Sequence, residues 1–230
     1  MPDNFSSPGI SGSFSLIIAH FRHFRYILAG MKTLIIHPKD PSTAFLKGIY
    51  QNIPDKTVIS GGVNRIQLLE YITIHDRVIC CGHGSPSGLF SCGHFYNCYP
   101  YVIDDSIVKY LKNKPNNLYI WCYASEFVKR NRLFGFCSEM MISENSEALY
   151  YNFPCTEDLE RVLEESNYRF SAIIGKFINE PLNILFKNLM NEYGELAKTN
   201  SIAAFNFKRL FLMQNKPSGF SNKVCNTGRV

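Results

Sequence analysis

Two residues of this 230-residue chain stand where nucleophilic chemistry is commonly done. His83 lies in CCGHGSPSGLFSCG and Cys122 in LYIWCYAS, each directly after a short apolar run of strand type. A thiol becomes a nucleophile near neutral pH only when a base or a positive neighbour draws off its proton. An imidazole titrates in the range to do this and then to protonate a leaving group. Glycines flank His83, so a second backbone can approach closely, and the Gly84 amide is placed to face a developing oxyanion. Alone, a histidine in a Gly-rich loop is often only a loop residue, and a cysteine at a strand end only a buried thiol. The pair, at successive strand ends, is the sharper signal.

The same stretch carries a competing set. Cys80, Cys81, His83, Cys92, His94 and Cys98 are six zinc-type ligands within residues 80–98. No C-x2-C pair has a distant mate, however. Cys80 and Cys81, adjacent in a strand, point to opposite faces and cannot readily share an ion. Neither a metal nor a cofactor is expected. His37, Ser85, Ser125 and Glu144 are the candidate pocket residues around the pair. Glu139, Glu144 and Glu147 follow a fifth strand near the same sheet edge, where they either favour a basic ligand or form a solvated loop. Asp104 and Asp105 read as helix caps, with orientation of His83 as the lesser role. The aromatic stretch 90–101 is expected to fold over the His83 loop.

The elements that must hold these residues alternate. Thr33–His37, Thr57–Ser60, Arg77–Cys81 and Leu118–Trp121 read as buried strands, and Phe136–Ile142 as a fifth. Between them lie helical patterns: 43–52 capped by Ser42, a helix opened by the Asn64/Gln67 capping box, 104–113, and an irregular or helical 124–132. Short apolar strands alternating with helices predict an α/β fold with a mostly parallel sheet covered on both faces. In such sheets ligands bind beyond the carboxyl ends of the strands, where His83 and Cys122 sit. After Pro154 the pattern turns helical, with helices over 156–178 and 182–193, the second ending at Gly194. The segment 202–213 reads equally as helix or strand.

Composition bounds the rest. The chain is 46% apolar and 19% charged, a globular balance, and no run is long enough for a membrane-spanning helix. The net charge of +5 concentrates in residues 187–230, so a nucleic-acid partner is not expected. Eight cysteines in a chain too long for a disulfide miniprotein read as reduced thiols, hence a cytoplasmic protein. Residues 1–30 differ from the rest, with charges inside their apolar run. They read as an upstream extension before a natural start at Met31, or as a helix packed on the body. The expected division is one α/β domain over 31–213, with a sheet core at 31–150 and a helical part at 155–213. A flexible basic tail over 214–230 follows.

The placement of His83-Gly84 and Cys122 resembles the caspase-like cysteine peptidases, among them the legumains, gingipains, separases and bacterial caspase homologues. In that family a His-Gly dipeptide ends one central strand and the nucleophilic cysteine ends the next. The match spans about residues 31–150. It implies a caspase-like three-layer sandwich and an endopeptidase acting on a peptide or protein substrate. Cys122 would attack the carbonyl, His83 would protonate the leaving group, and the backbone amides of Gly84 and Cys122 would hold the oxyanion. The chain departs from the family after the cysteine: Tyr123-Ala124-Ser125 stands where a Gly-containing turn is common. GHGSPSGLF followed by a WC strand end also resembles a group of small uncharacterised bacterial proteins. A cysteine hydrolase is therefore the expected function. The alternative is a catalytically silent regulatory or protein-interaction module on the same fold.

Overall fold

The computed structural model describes residues 30–156 and 158–214. The expected extension up to residue 29 and the basic tail from 215 onward lie outside the described residues.

Six strands form the main sheet: β1 (Thr33–Ile36), β2 (Lys56–Ile59), β3 (Arg77–Cys81), β7 (Leu118–Ile120), β8 (Gly135–Ser138) and β9 (Leu210–Met213). Their order is β2-β1-β3-β7-β8-β9, with every pairing parallel except the last. A small antiparallel sheet of β4 (Gly84–Ser85), β5 (Gly88–Phe90) and β6 (Tyr101–Ile103) follows β3.

Strict alternation along the strands builds two cores. Leu34, Val78, Cys80, Tyr119, Trp121 and Cys137 face one side, while Ile35, Ile79, Cys81, Leu118, Ile120 and Phe136 face the other. The first core is closed by α2 (Arg65–Ile74), α3 (Val108–Leu111) and α4 (Ala124–Arg130), through residues such as Leu68, Leu111 and Phe127. The second is closed by α1 (Lys47–Tyr50), α6 (Leu159–Phe177), α7 (Leu182–Leu196) and α8 (Ser201–Phe207), through Ile49, Ile174, Leu189 and Ala203. The fold is therefore mixed α/β, a mostly parallel sheet with helices on both faces. Cys80 and Cys81 are buried free thiols on opposite faces, as alternation requires. No helix among the described residues is long and apolar enough to cross a membrane.

Several boundaries differ from the sequence reading, each for a local reason. The Asn64/Gln67 capping box is present and opens α2. Ser42, however, is not a cap. Asp40 is, accepting the Ser42 amide and starting a 3-10 turn over Pro41–Leu46 that leads into α1. Residues 105–111 likewise divide into a 3-10 turn and the short α3, capped by Asp104. Gly194 does not end α7; its bare backbone lets the Phe207 ring pack against the helix interior. Segment 202–213 is both alternatives in succession. It ends α8 and then returns to the sheet as β9, because Leu210 and Leu212 face one core while Phe211 and Met213 face the other. The fifth strand stops at Ser138, and the chain then loops to α5 (Asn145–Tyr150).

Candidate active site

β3 and β7 are neighbours, with Cys81 opposite Ile120. One further bond, from the Gly82 amide to the Ile120 carbonyl at 3.0 Å, closes the ladder. His83 and Cys122 are thus corresponding positions just past the last bond of two adjacent parallel strands, which run about 4.8 Å apart. The sequence placed them so, and the sheet brings their backbones together.

The turns at both strand ends are tightly fixed. After β3 the chain reverses through β4 and β5, and the Phe90 amide donates to the His83 carbonyl at 2.9 Å. Gly84 and Leu89 are then a non-hydrogen-bonded pair, so the Gly84 amide points away from β5. A Cβ at Gly84 would fall on the Trp121 indole and the Gly88 carbonyl. The indole Nε1–H itself donates to the Ser85 carbonyl at 3.1 Å. Trp121, the residue before the candidate nucleophile, therefore braces the hairpin that carries the candidate base. After β7, Tyr123 takes a left-handed conformation with φ 66° and begins α4. This is the backbone shape that a glycine would adopt without strain, supplied here by a tyrosine at a cost of about 1–2 kcal/mol. The Cys122 amide donates no hydrogen bond among the described residues.

The two side chains make different contacts. His83 turns toward the loop after β1: its Nε2 lies 2.7 Å from Ser42 Oγ and 3.9 Å from Asp40 Oδ1. Asp40 Oδ1 also accepts the Ser42 amide at 2.9 Å and the Ser42 hydroxyl at 2.7 Å. Hydrogen bonding by the Ser42 hydroxyl leads in holding the Asp40 carboxyl below its ordinary range, with a smaller contribution from the charge of His83. Cys122 turns the other way, its thiol meeting the Met141 carbonyl at 3.9 Å. Burial first, then the carboxylates of Glu147 and Glu144, push that thiol up to about 11. No hydrogen bond joins the His83 ring to the Cys122 thiol among the described residues.

The remaining candidates scatter around this edge. His37 is buried, with Nδ1 2.9 Å from the Tyr50 hydroxyl and Nε2 3.1 Å from Thr43 Oγ1, and burial lowers its pKa to about 4. Ser85 pairs with the Tyr101 hydroxyl at 2.9 Å inside the hairpin. Ser125 is buried in α4 and donates to Glu139 at 3.4 Å. Glu144 precedes α5 and accepts from Ser146, while Glu147 accepts both the amide and the hydroxyl of Ser143. Asp104 and Asp105 are taken up by Arg65 and Arg130, at 2.7 and 2.9 Å, and not by His83. The aromatic stretch is anchored at the β2 end, where His94 and Tyr96 bond Gly62 and Val63. It carries Cys92 within reach of the Asp40 charge. A groove of about 410 Å³ is lined by Lys39, Ser60, Gly61, Gly62, Gly93, His94 and Tyr96, and includes neither His83 nor Cys122 in its lining. Among the described residues no three His, Cys, Asp or Glu side chains gather as a metal group.

The sequence reading gave Ser42 only as a helix cap and gave Asp40 no role. The only local signal was the Asp-Pro-Ser spacing of a cap, and its meeting with His83 across 41 positions is tertiary. No family model, no curated protein and no solved structure matches the chain.

Proposed function

We propose that the protein is a cysteine hydrolase of caspase-like type, an endopeptidase that uses Cys122 and His83. The observation that carries this reading is positional. A thiol and an imidazole stand just past the ends of two adjacent parallel strands. The Gly84 amide points away from its β5 partner and the Cys122 amide donates to no described residue, so both can face an oxyanion. In the reaction the Cys122 thiol gives its proton to His83 and sulfur adds to the peptide carbonyl. The C–N bond then breaks, the departing amine takes the proton from His83, and water cleaves the thioester to an acid, restoring the thiol. Glu144 and Glu147, close enough to act on the Cys122 charge, favour a substrate with a basic side chain near the cleaved bond.

A second reading, the catalytically silent interaction module, is favoured by one specific observation. A thiol near 11 is ionised in only about one molecule in ten thousand at pH 7. Its proton must be removed by an imidazole that is now bonded elsewhere. Digestion of a diverse peptide mixture, read by mass spectrometry, separates the two. Cleavage after a restricted set of residues by the wild type, lost in Cys122→Ala, supports the hydrolase. No cleavage by the wild type, with Cys122 labelled no faster than the other thiols, supports the module.

A further inference from the structure

We infer that Asp40 and Ser42 are positioning residues that fix the His83 ring with its proton on Nε2, so that Nδ1 is the atom that exchanges a proton with the reacting groups. The inference rests on the hydrolase reading only for what Nδ1 does. The tautomer follows from the contacts themselves.

The protons shared by three side chains decide the tautomer. Asp40 Oδ1 receives two hydrogen bonds from Ser42, from its amide at 2.9 Å and its hydroxyl at 2.7 Å. An ionised carboxylate only accepts. The hydroxyl proton of Ser42 is therefore engaged with Asp40, and Ser42 Oγ can meet a further partner only as an acceptor. That partner is His83 Nε2 at 2.7 Å, which must then carry the hydrogen. In neutral imidazole only one nitrogen is protonated, so Nδ1 holds the lone pair. Nδ1 has no hydrogen bond to any described residue, whereas both ring nitrogens of the neighbouring His37 are taken.

The consequence is a division of labour. When the Cys122 S–H bond breaks, its proton forms a new N–H bond at Nδ1, leaving a thiolate and an imidazolium. The imidazolium keeps its Nε2–H on Ser42 and faces the Asp40 carboxylate at 3.9 Å. The proton then leaves from Nδ1 to the amine. The ring is held facing the β1 loop while the thiol faces Met141, so a bound substrate must bring Nδ1 and the sulfur together.

The test reads the tautomer directly and needs no substrate. The full chain labelled with 15N-histidine is examined by long-range proton–nitrogen spectra at a pH where His83 is neutral, with His83→Gln identifying its signals. Expected in the wild type are a pyridine-like Nδ1 and a pyrrole-like Nε2. Ser42→Ala should shift His83 toward a mixture of tautomers, and Ser42→Thr should restore the single form. In a peptide-cleavage assay Ser42→Ala and Asp40→Asn should lower kcat/KM about 10- to 100-fold, chiefly through kcat, since they misplace the ring without touching substrate. A wild-type Nδ1–H tautomer overturns the inference, as does a tautomer indifferent to Ser42→Ala. Covalent capture of Ser42 by a fluorophosphonate also overturns it, because the hydroxyl would then be giving its proton to His83. If the Nε2–H tautomer responds to Ser42 but no peptide is cleaved, the positioning holds and the hydrolase reading falls.

Discussion

His83 and Cys122 end neighbouring strands, yet the two ends are built for opposite conditions. The histidine end is partly open, with side-chain exposures of 27% at His83 and 30% at Asp40, and its polar atoms form a chain of 2.7 Å contacts. The cysteine end is drier. Its thiol meets one distant carbonyl and lies near two carboxylates that oppose ionisation. In the proposed reaction the first half would carry the proton, and the second holds its thiol protonated. Adjacent strand ends thus bring two residues together in the backbone while their side-chain contacts set them in different surroundings. A thiol that is silent alone, and activated only when a bound peptide brings in positive charge or moves His83, is protected from oxidation and from random acylation.

The largest expected effect would show the two halves acting as one. Cys122→Ala and His83→Ala should each lower kcat/KM by more than about 1,000-fold, and the double variant should fall no further, since residues that work as a unit are not additive. Additive losses would break the pairing. The brace between the halves comes next. Gly84→Ala forces a methyl into Trp121 and the Gly88 carbonyl, so urea unfolding should show a loss of about 3 kcal/mol. An unchanged midpoint would mean that the indole does not hold the hairpin.

A smaller effect contrasts the two histidines of the open end. His37 is buried with a pKa lowered to about 4, so its neutral form stabilises the fold. Its contribution is full above the unfolded value of about 6.5 and is lost as pH falls through 4. Over that window the acid loss of stability should be about 3 kcal/mol smaller in His37→Asn than in the wild type, measured by urea titration at successive pH values. Equal slopes would show that His37 is not held neutral. The smallest effect concerns the turn at the dry end. Asparagine tolerates the left-handed backbone better than tyrosine, which offsets the lost Tyr123–Tyr151 hydroxyl contact at 3.4 Å. Tyr123→Asn should therefore change stability by less than about 1 kcal/mol. A loss of several kcal/mol would place the side chain, not the backbone, in control of the turn.

Much of this fold is readable from residues close in sequence. The run RVICC is buried along its whole length, and it matches β3 residue for residue because neither face of a central strand needs polar residues. The Asn64/Gln67 box is equally local. Segment 202–213 was ambiguous because a helical turn and an alternating strand share it, and only pairing with β8 separates them. At the site, the adjacency of His83 and Cys122 follows from the order of strands. The direction of each side chain does not. It depends on Asp40 and Ser42 arriving from the β1 loop and Met141 from beyond β8, contacts that leave no trace in the spacing of either motif.

On the proposed mechanism His83 activates Cys122 once a peptide is bound. The direct measurement is the rate at which a peptidyl chloromethyl ketone with a basic terminal residue modifies Cys122 at neutral pH, followed by mass spectrometry in wild type and His83→Ala. Rapid, selective modification of Cys122 is expected in the wild type, with a fall of about 100-fold or more in His83→Ala. Equal rates in the two proteins, or labelling spread over the other free cysteines, would contradict it.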